Sequence, residues 1–228
     1  MQADTPSSTR PLGILGGTFD PIHVAHLRLA QEALEACALG SVRFIPAGRP
    51  MHRQQPGASA ADRLAMVRHA LSGCTQFELD ESEALSDQPS YTVPTLERLR
   101  QSVGAQRPLV LLLGADAFLS LPSWHRWREL FALVHIAVAT RPGHVIEFTD
   151  ACTKVSAQSV LADEFKARHA PSVNALSTSP AGHISLFSMT PLEVSATSVR
   201  ALLRSGHSPR FLVPDKVLDY IQANKLYL

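Results

Sequence analysis

The chain has 228 residues, of which 45% are hydrophobic and 18% charged. This composition excludes a disordered chain, and a chain of this length can bury roughly 70% of its unfolded surface without disulfides or metals. With 21 Lys and Arg residues against 20 Asp and Glu, the net charge is +1, which argues against nucleic-acid binding through a broad basic surface.

The cysteines and the apolar runs indicate the cellular compartment in which the protein is expected. Cys37, Cys74 and Cys152 lie far apart and form no C-x-x-C pair, so we expect neither a disulfide framework nor a structural zinc site. The first ten residues lack the apolar core of a signal peptide, and the longest apolar run, 109–113, is far shorter than the roughly 20 residues of a membrane span. The sequence thus predicts a cytoplasmic protein that binds neither nucleic acid nor membrane.

Short apolar runs alternate along the chain with segments in which apolar residues recur every three or four positions. In chain order this pattern predicts strand 11–17, helix 24–39, strand 41–46, helix 60–71, strand 77–79, helix 91–102, strand 108–114, helix 126–133, strand 135–139, helix 155–169, strand 183–187 and helices 196–204 and 214–223. The continuous apolar run at 108–114 is typical of a parallel strand covered on both faces. The alternation predicts an α/β fold, a doubly wound parallel sheet with helices on both faces.

We interpret residues 1–228 as a single domain, because no internal repeat divides the chain. The polar residues 1–10 are expected to form a flexible start. Between about 143 and 182 the periodicity weakens into a stretch rich in Ser, Pro and Ala, which we interpret as an insertion or a flexible region.

The segment 16–26, GGTFDPIHVAH, lies between the first predicted strand and the next helix, where α/β sheets bind ligands. Its glycines allow a phosphate to approach the backbone, and the helix start offers unpaired N–H groups. His23 and His26 are three residues apart and would share a face of a helical turn, from which both can donate to an anion. The glycines would also fit an ordinary turn, and the two histidines would also fit a metal-binding pair or a solvent-exposed pair. The segment matches neither the dinucleotide fingerprint nor the P-loop.

Two segments at opposite ends of the chain resemble the signatures of the nucleotidylyltransferase superfamily. Segment 16–26 is similar to G-G-T-F-D-P-x-H-x-G-H, with Ala25 in place of a glycine, and 194–200, VSATSVR, is similar to I-S-S-T-x-I-R, with Ala196 in place of a serine. Ser195 suits the N-cap of the helix that follows, and that helix start and Arg200 can hold a triphosphate. Taken alone, Ser195 and Arg200 are better read as a helix cap and a surface charge, and it is the pairing with the first signature that favours the functional interpretation.

Further segments narrow the resemblance to bacterial nicotinate-nucleotide adenylyltransferases. They are 90–96, which is similar to S-Y-T-x-x-T-L, then 114–118 with 122–127, and the C-terminal segments 213–221 and 226–227. The resemblance implies a Rossmann-like fold and an enzyme of NAD biosynthesis. Its reaction would join ATP and nicotinate mononucleotide to give deamido-NAD and pyrophosphate.

The resemblance also implies roles for individual residues. His23, His26 and Arg200 would be catalytic. The ATP-binding residues would be Gly16, Gly17, Thr18, Phe19, His23, His26, Ser195, Thr197, Ser198 and Arg200. The mononucleotide-binding residues would be His52, Arg53, Thr92, Gly114, Asp116, Trp124 and His125.

Within the second set, Asp116 would accept from a ribose hydroxyl and Trp124 would stack on the nicotinate ring. The backbone N–H groups near Thr92 and His125 would meet its carboxylate. His52 and Arg53 would lie near the mononucleotide phosphate, although Met51 departs from the family's P-P-H-[KR] element. Asp116 as a helix cap and Trp124 as a core residue are the structural alternatives.

The reaction implied by the resemblance needs no protein nucleophile, because the mononucleotide phosphate attacks the α-phosphorus of ATP in line. The sequence shows no Asp and Glu cluster resembling a metal cage, so Mg²⁺ is expected to arrive with ATP. The alternatives are a nicotinamide-mononucleotide or phosphopantetheine adenylyltransferase and, from another class, a non-catalytic nucleotide-binding module. The sequence indicates no oligomeric state.

Overall fold

A computed structural model of the protein describes residues 10–50, 55–140 and 155–228, the last with side chains from residue 160. Within these ranges no helix is both long enough and apolar enough to cross a membrane. The polar start at 1–9, His52 and Arg53, and residues 143–154 of the predicted insertion lie outside the described residues.

The described elements alternate between strands and helices. The strands are β1 (Leu12–Gly17), β2 (Ser41–Pro46), β3 (Arg49–Pro50), β4 (Phe77–Leu79), β5 (Pro89–Ser90), β6 (Leu109–Gly114), β7 (His135–Thr140) and β8 (Ile184–Ser188). The helices are α1 (Val24–Ala36), α2 (Ala60–Leu71), α3 (Thr92–Val103), α4 (Ala115–Leu119), α5 (Leu130–Leu133), α6 (Val155–Arg168), α7 (Ala196–Arg204) and α8 (Asp215–Ala223).

The chain divides into two compact units, each discontinuous in sequence. The first comprises Met1–Ile14, Glu32–Ser41 and Thr92–Pro191, and the second comprises Leu15–Gln31, Val42–Tyr91 and Leu192–Leu228. Strand β1 therefore starts in the first unit and ends in the second. The prediction of one domain over 1–228 stays a prediction.

The main sheet has six strands in the order β4-β2-β1-β6-β7-β8. Its described pairings are parallel, with Leu12 opposite Leu109 between β1 and β6 and Val42 opposite Phe77 between β2 and β4. Strand β7 is buried at every position and β6 at all but its last, as expected for strands covered on both faces. The predicted α/β fold with a doubly wound parallel sheet is confirmed.

Helices α2 and α8 pack against each other in the second unit. Their inward faces are apolar. These faces carry Leu64, Met66 and Val67 on α2 and Val217, Leu218 and Ile221 on α8. The packing holds the C-terminal segment of the chain to the unit that contains 15–31.

Some boundaries differ from the sequence predictions for physical reasons. The predicted helix 126–133 is split into a 3₁₀ turn, Trp127–Glu129, and α5. Arg126 has a left-handed φ of 57°, so it lies outside the helical segment and precedes the 3₁₀ turn. Helix α1 ends at Ala36 rather than 39, because Ala38 has a φ of 49°. Pro214 caps α8 instead of lying in its first turn. Within the described part of 143–182, α6 and a 3₁₀ turn at Val173–Ser177 are regular elements.

Candidate active site

Strand β1 runs into a tight loop that begins at Gly17. A Cβ atom at Gly17 would lie 3.0 Å from two carbons of the Phe19 ring, so a side chain here would crowd that ring. Phe19 is buried and has a φ of 50°, which turns the chain while its ring packs inward. A Cβ atom at Gly16 would meet nothing within 4 Å, so the backbone there is open to a ligand.

His23 and His26 stack at the start of α1. Their ring centroids are 3.8 Å apart and the rings are inclined by 28°. The carbonyl of His23 accepts from the N–H groups of His26 and Leu27, which places His23 at the helix cap rather than on the helical turn that the spacing predicted. The backbone N–H of His23 donates to His26 Nδ1 over 3.3 Å, so Nδ1 is an acceptor and Nε2 carries a proton.

His23 is a buried and neutral imidazole. The residue is only 5% exposed, and burial lowers the pKa of its side chain from 6.5 to about 4. Its Nδ1 atom is buried and has no hydrogen-bond partner among the described residues. An unsatisfied buried polar atom of this kind costs about 1–3 kcal/mol, and it marks His23 for an explanation beyond packing.

Helix α7 begins with a complete capping box. Ser195 Oγ accepts from the Ser198 N–H, and Ser198 Oγ accepts from the Ser195 N–H. Both hydroxyls therefore serve the cap, as the structural alternative for Ser195 proposed. By helix geometry, the N–H groups of Ala196 and Thr197 have no partner within the helix, and they can receive an anion.

Arg200 joins the two sequence signatures at Asp20. Its Nη1 donates to the Asp20 carbonyl over 2.6 Å and lies 3.5 Å from Asp20 Oδ2. Its Nη2 approaches Thr197 Oγ1 at 3.5 Å, and the side chain is 21% exposed. The structure thus brings residues 180 positions apart to one place in the second unit, with the guanidinium in part open to solvent.

The Asp20 carboxylate is buried and accepts from several donors. Oδ2 accepts from the Gly57 N–H over 2.7 Å, and Oδ1 accepts from the Ala58 N–H over 3.0 Å and from the Tyr227 hydroxyl over 2.8 Å. Sequence analysis assigned Asp20 no role of its own. An Asp between a phenylalanine and a proline carries no periodic signal, and its partners lie 37 to 207 residues away.

Arg63 is a second group that sequence analysis missed. It is 1% exposed, and its guanidinium donates to the carbonyls of Thr18 over 2.7 Å and Gly48 over 2.8 Å, and also to those of Ala47 and Ala58. Burial lowers its pKa while Asp20 raises it. Arg63 ties the loop after β1 to the 47–58 segment, beside a cavity of about 600 Å³ lined by residues 48–50, 55–60 and Arg63.

In the first unit, β6 ends at Gly114, which is the N-cap of α4 and lies opposite Ala139 of β7. Asp116 lies exposed in the first turn of α4. Because Gly114 is the cap residue, Asp116 does not fill the capping role that was its structural alternative. Thr92 is half-buried and begins α3.

The segment after α4 presents Trp124 at the surface of the first unit. Trp124 is half-buried and its Nε1 donates to Ser120 Oγ over 3.2 Å, while Trp127 is buried in the core. His125 is exposed. Arg126 donates to Glu129 and to Glu97 of α3 at 2.6 and 2.7 Å, which fastens this segment to the helix that Thr92 begins.

The predicted residues therefore fall into two sets. The ATP-binding set lies in the second unit, and Thr92, Gly114, Asp116, Trp124 and His125 lie in the first. Among the described residues no three His, Cys, Asp or Glu side chains are grouped so that they could hold a metal.

Comparisons with known proteins find one family model and a set of relatives that share one name. A family model described as cytidylyltransferase-like matches residues 14–201. A protein of Dechloromonas aromatica named probable nicotinate-nucleotide adenylyltransferase is 52% identical over 219 residues, 96% of this chain and 98% of the relative. A protein of Pseudomonas entomophila with the same name is 49% identical over 220 residues, 96% of each chain.

Solved structures share the fold. The Plasmodium falciparum nicotinic acid mononucleotide adenylyltransferase complexed with NaAD superposes with a TM-score of 0.68 at 14% identity, covering 96% of this chain and 97% of that one. The same enzyme complexed with APC gives a TM-score of 0.64 at 16% identity with the same coverage.

The two signatures meet at Asp20, and near-half identity extends over almost the whole chain and its relatives. The chain therefore belongs to the cytidylyltransferase-like family, within its nicotinate-nucleotide adenylyltransferases.

Proposed function

We propose that the protein transfers the adenylyl group of ATP to nicotinate mononucleotide, giving deamido-NAD and pyrophosphate, as a step of NAD biosynthesis. The observation that carries this proposal is the buried, unpartnered nitrogen of His23 beside His26, in the unit where Arg200 and the start of α7 meet the loop after β1.

The ATP phosphates would bind to the donors of the second unit. These are the imidazole N–H groups of His23 and His26, the Arg200 guanidinium and the backbone N–H groups at the start of α7. The open backbone at Gly16 allows close approach of a phosphate. Because His23 is neutral at pH 7, it would act as a hydrogen-bond donor, while Arg200 supplies the positive charge.

In the reaction, a phosphate oxygen of the mononucleotide forms a bond to the α-phosphorus of ATP. The bond from that phosphorus to the bridging oxygen breaks, and pyrophosphate leaves with the electron pair. Such transfers depend on alignment and on stabilisation of the charge that develops. Each well-placed donor contributes about 2.7–4 kcal/mol in comparable sites.

A magnesium ion would come with ATP, bound by the triphosphate oxygens rather than by a protein cage. When bound, it neutralises part of the phosphate charge. The carboxylate nearest to these donors, that of Asp20, is engaged by Gly57, Ala58 and Tyr227.

The mononucleotide would bind to residues of the first unit. Trp124 presents a half-buried ring for stacking on nicotinate, Asp116 offers an exposed carboxylate to a ribose hydroxyl, and the backbone near Thr92 and His125 offers N–H donors. Gly114 would let the sugar approach the end of β6. His52 and Arg53 remain our prediction for the phosphate contact.

We also place the enzyme in the cytoplasm. The support is the cysteine pattern, with Cys37 buried and Cys74 exposed, both as free thiols. The absence of nucleic-acid and membrane partners stays a prediction from composition.

A side-by-side turnover assay tests the proposed function. Purified protein with ATP and Mg²⁺ receives nicotinate mononucleotide or nicotinamide mononucleotide, while pyrophosphate release is recorded and the dinucleotide is identified by mass. We expect deamido-NAD and pyrophosphate in equal amounts, with His26→Ala defining the background rate. Binding of ATP without turnover would instead identify a nucleotide-binding module, and faster turnover of the amide would identify the nicotinamide enzyme.

A further inference from the structure

Tyr227 is the penultimate residue and lies far in sequence from both signatures. It is only 7% exposed and has a φ of 65°, a conformation that non-glycine residues seldom adopt. A strained backbone persists where surrounding contacts determine it. Here those contacts are to Asp20 and Gly57.

The Tyr227 ring lies against the backbone of the 57–58 segment. A Cβ atom at Gly57 would be 3.2 Å from two ring carbons of Tyr227 and 3.6 Å from Arg200 Cδ. The Gly57 N–H in turn donates to Asp20 Oδ2. The ring, the Gly57 backbone and the Arg200 side chain are therefore neighbours around one carboxylate.

The hydroxyl of Tyr227 completes the coordination of that carboxylate. Asp20 Oδ1 and Oδ2 together receive the Gly57 and Ala58 N–H groups and the Tyr227 hydroxyl at 2.7–3.0 Å. Burial and the Asp20 charge raise the pKa of Tyr227 above its ordinary value, so the phenol keeps its proton and donates.

Arg200 makes its short contact with another atom of Asp20. Its Nη1 is 2.6 Å from the carbonyl oxygen but 3.5 Å from Oδ2, so guanidinium and carboxylate do not form the bidentate pair that these groups favour. With three donors on the carboxylate, the Arg200 charge is only partly neutralised within the protein.

We propose that Tyr227 is a positioning residue for ATP: its hydroxyl offsets part of the Asp20 charge and thereby keeps the Arg200 guanidinium directed to the triphosphate. This inference rests on the proposed function, since it assumes that Arg200 binds ATP. Without the hydroxyl, Oδ1 keeps one donor, and Arg200 closes on the carboxylate at the expense of the nucleotide.

Tyr227→Phe tests the proposal, because it removes one oxygen and keeps the ring. We expect the KM for ATP to rise about five- to thirtyfold. The KM for nicotinate mononucleotide should stay within about twofold of the wild type, because that substrate is proposed to bind residues of the first unit. Tyr220→Phe is the matched control, because Tyr220 of α8 also donates to a carboxylate, Asp62 Oδ1 at 3.0 Å, away from Arg200.

A double-mutant cycle separates positioning from general loosening of the fold. ATP binding is measured by calorimetry for the wild type, Tyr227→Phe, Arg200→Ala and the double variant, at a temperature well below the lowest Tm. If Tyr227 acts through Arg200, its substitution has no further effect on ATP affinity once Arg200 is gone. An equal effect in both backgrounds would overturn the proposal, as would equal ATP KM values for Tyr227→Phe and Tyr220→Phe. Failure of the wild type to release pyrophosphate would instead overturn the proposed function.

Discussion

His23 and His26 are in contact, yet their burial differs, and we expect different consequences when each is removed. His26 is half-buried, and the proposed role of its Nε2 proton is to meet charge that develops during transfer. We predict that His26→Ala lowers kcat by about 30- to 1000-fold, equivalent to about 2–4 kcal/mol, with little change in Tm. Steady-state kinetics and thermal unfolding on the same preparations check this.

The exposed His207 offers a control for that experiment, since His207→Ala removes an imidazole outside the proposed site. It should leave both kcat and Tm near the wild-type values. A His26→Ala protein with a lowered Tm but normal turnover per folded molecule would show that the histidine pair is structural.

Burial of His23 predicts a pH dependence of stability. Its pKa is about 4 in the folded protein and 6.5 without burial, so between these values the unfolded chain binds a proton that the folded chain does not. The free energy of unfolding therefore rises with pH across this window and falls on acidification, by about 3 kcal/mol at full extent. Burial lowers the pKa of His135 as well, which adds a slope of the same sign.

A comparison of variants isolates the contribution of His23. Tm measured from pH 4 to 7 on the ligand-free protein should vary less for His23→Gln than for the wild type, and His207→Gln should follow the wild-type curve. Parallel curves for the wild type and His23→Gln would contradict a buried neutral imidazole at this position.

At the scale of single elements, the segment between α4 and α5 is held by surface ion pairs that we expect to support mononucleotide binding. Arg126 directly follows Trp124 and His125 and joins Glu129 to Glu97 of α3. Exposed ion pairs contribute little to stability, so Arg126→Ala should leave Tm almost unchanged. The same change should raise the KM for nicotinate mononucleotide severalfold and leave the KM for ATP alone, because the segment that carries Trp124 and His125 loses its ion pair with α3.

Arg68→Ala supplies the matched control for this prediction. Arg68 pairs with Glu81 at 2.5 Å and is likewise exposed, but it lies outside the proposed mononucleotide site. Equal mononucleotide KM values for the two variants would show that the Arg126 pairs do not support binding.

Periodicity predicted the longer elements well. The bounds of β2, α2 and α7 agree with those expected, because each has a regular apolar face between clear breakers, and the bounds of the three-residue β4 agree as well. It did not predict β3 and β5, two-residue strands at Arg49–Pro50 and Pro89–Ser90, or the five-residue α4. Segments this short contain no full period of either pattern, and tertiary contacts determine their conformation.

At the scale of the whole molecule, the resemblance assigned residues to the two substrates, which stays a prediction, and it assigned no role to the buried polar groups around them. Asp20, Arg63 and Tyr227 are buried polar groups whose partners lie 5 to 207 residues away. No local pattern indicates which main-chain donors or carbonyls a buried side chain will meet. The clues in the sequence were the place of Asp20 within the first signature and the resemblance of 226–227 to the ending of the family.

The last prediction concerns the choice between nicotinate and nicotinamide mononucleotide, which we propose is made by residues of the first unit. Nicotinate carries a carboxylate where nicotinamide carries a neutral amide. Backbone N–H groups near Thr92 and His125 would make charge-assisted hydrogen bonds to the acid, whereas the NH₂ of the amide would face at least one donor and leave it unsatisfied. Sites built in this way discriminate by factors up to about 10⁴–10⁵.

The stacking surface should add affinity without selecting between the two rings, because either ring covers the Trp124 indole equally. We predict a strong preference of the wild type for nicotinate mononucleotide. Trp124→Ala should lose kcat/KM for both mononucleotides and keep the ratio between them. Measuring kcat/KM for both substrates in both proteins checks this, with Tm to verify that the buried Trp127 still holds the segment. Wild-type values within tenfold of each other would refute the acid-specific assignment, and a changed ratio in Trp124→Ala would place selectivity in the ring contact rather than in the backbone donors.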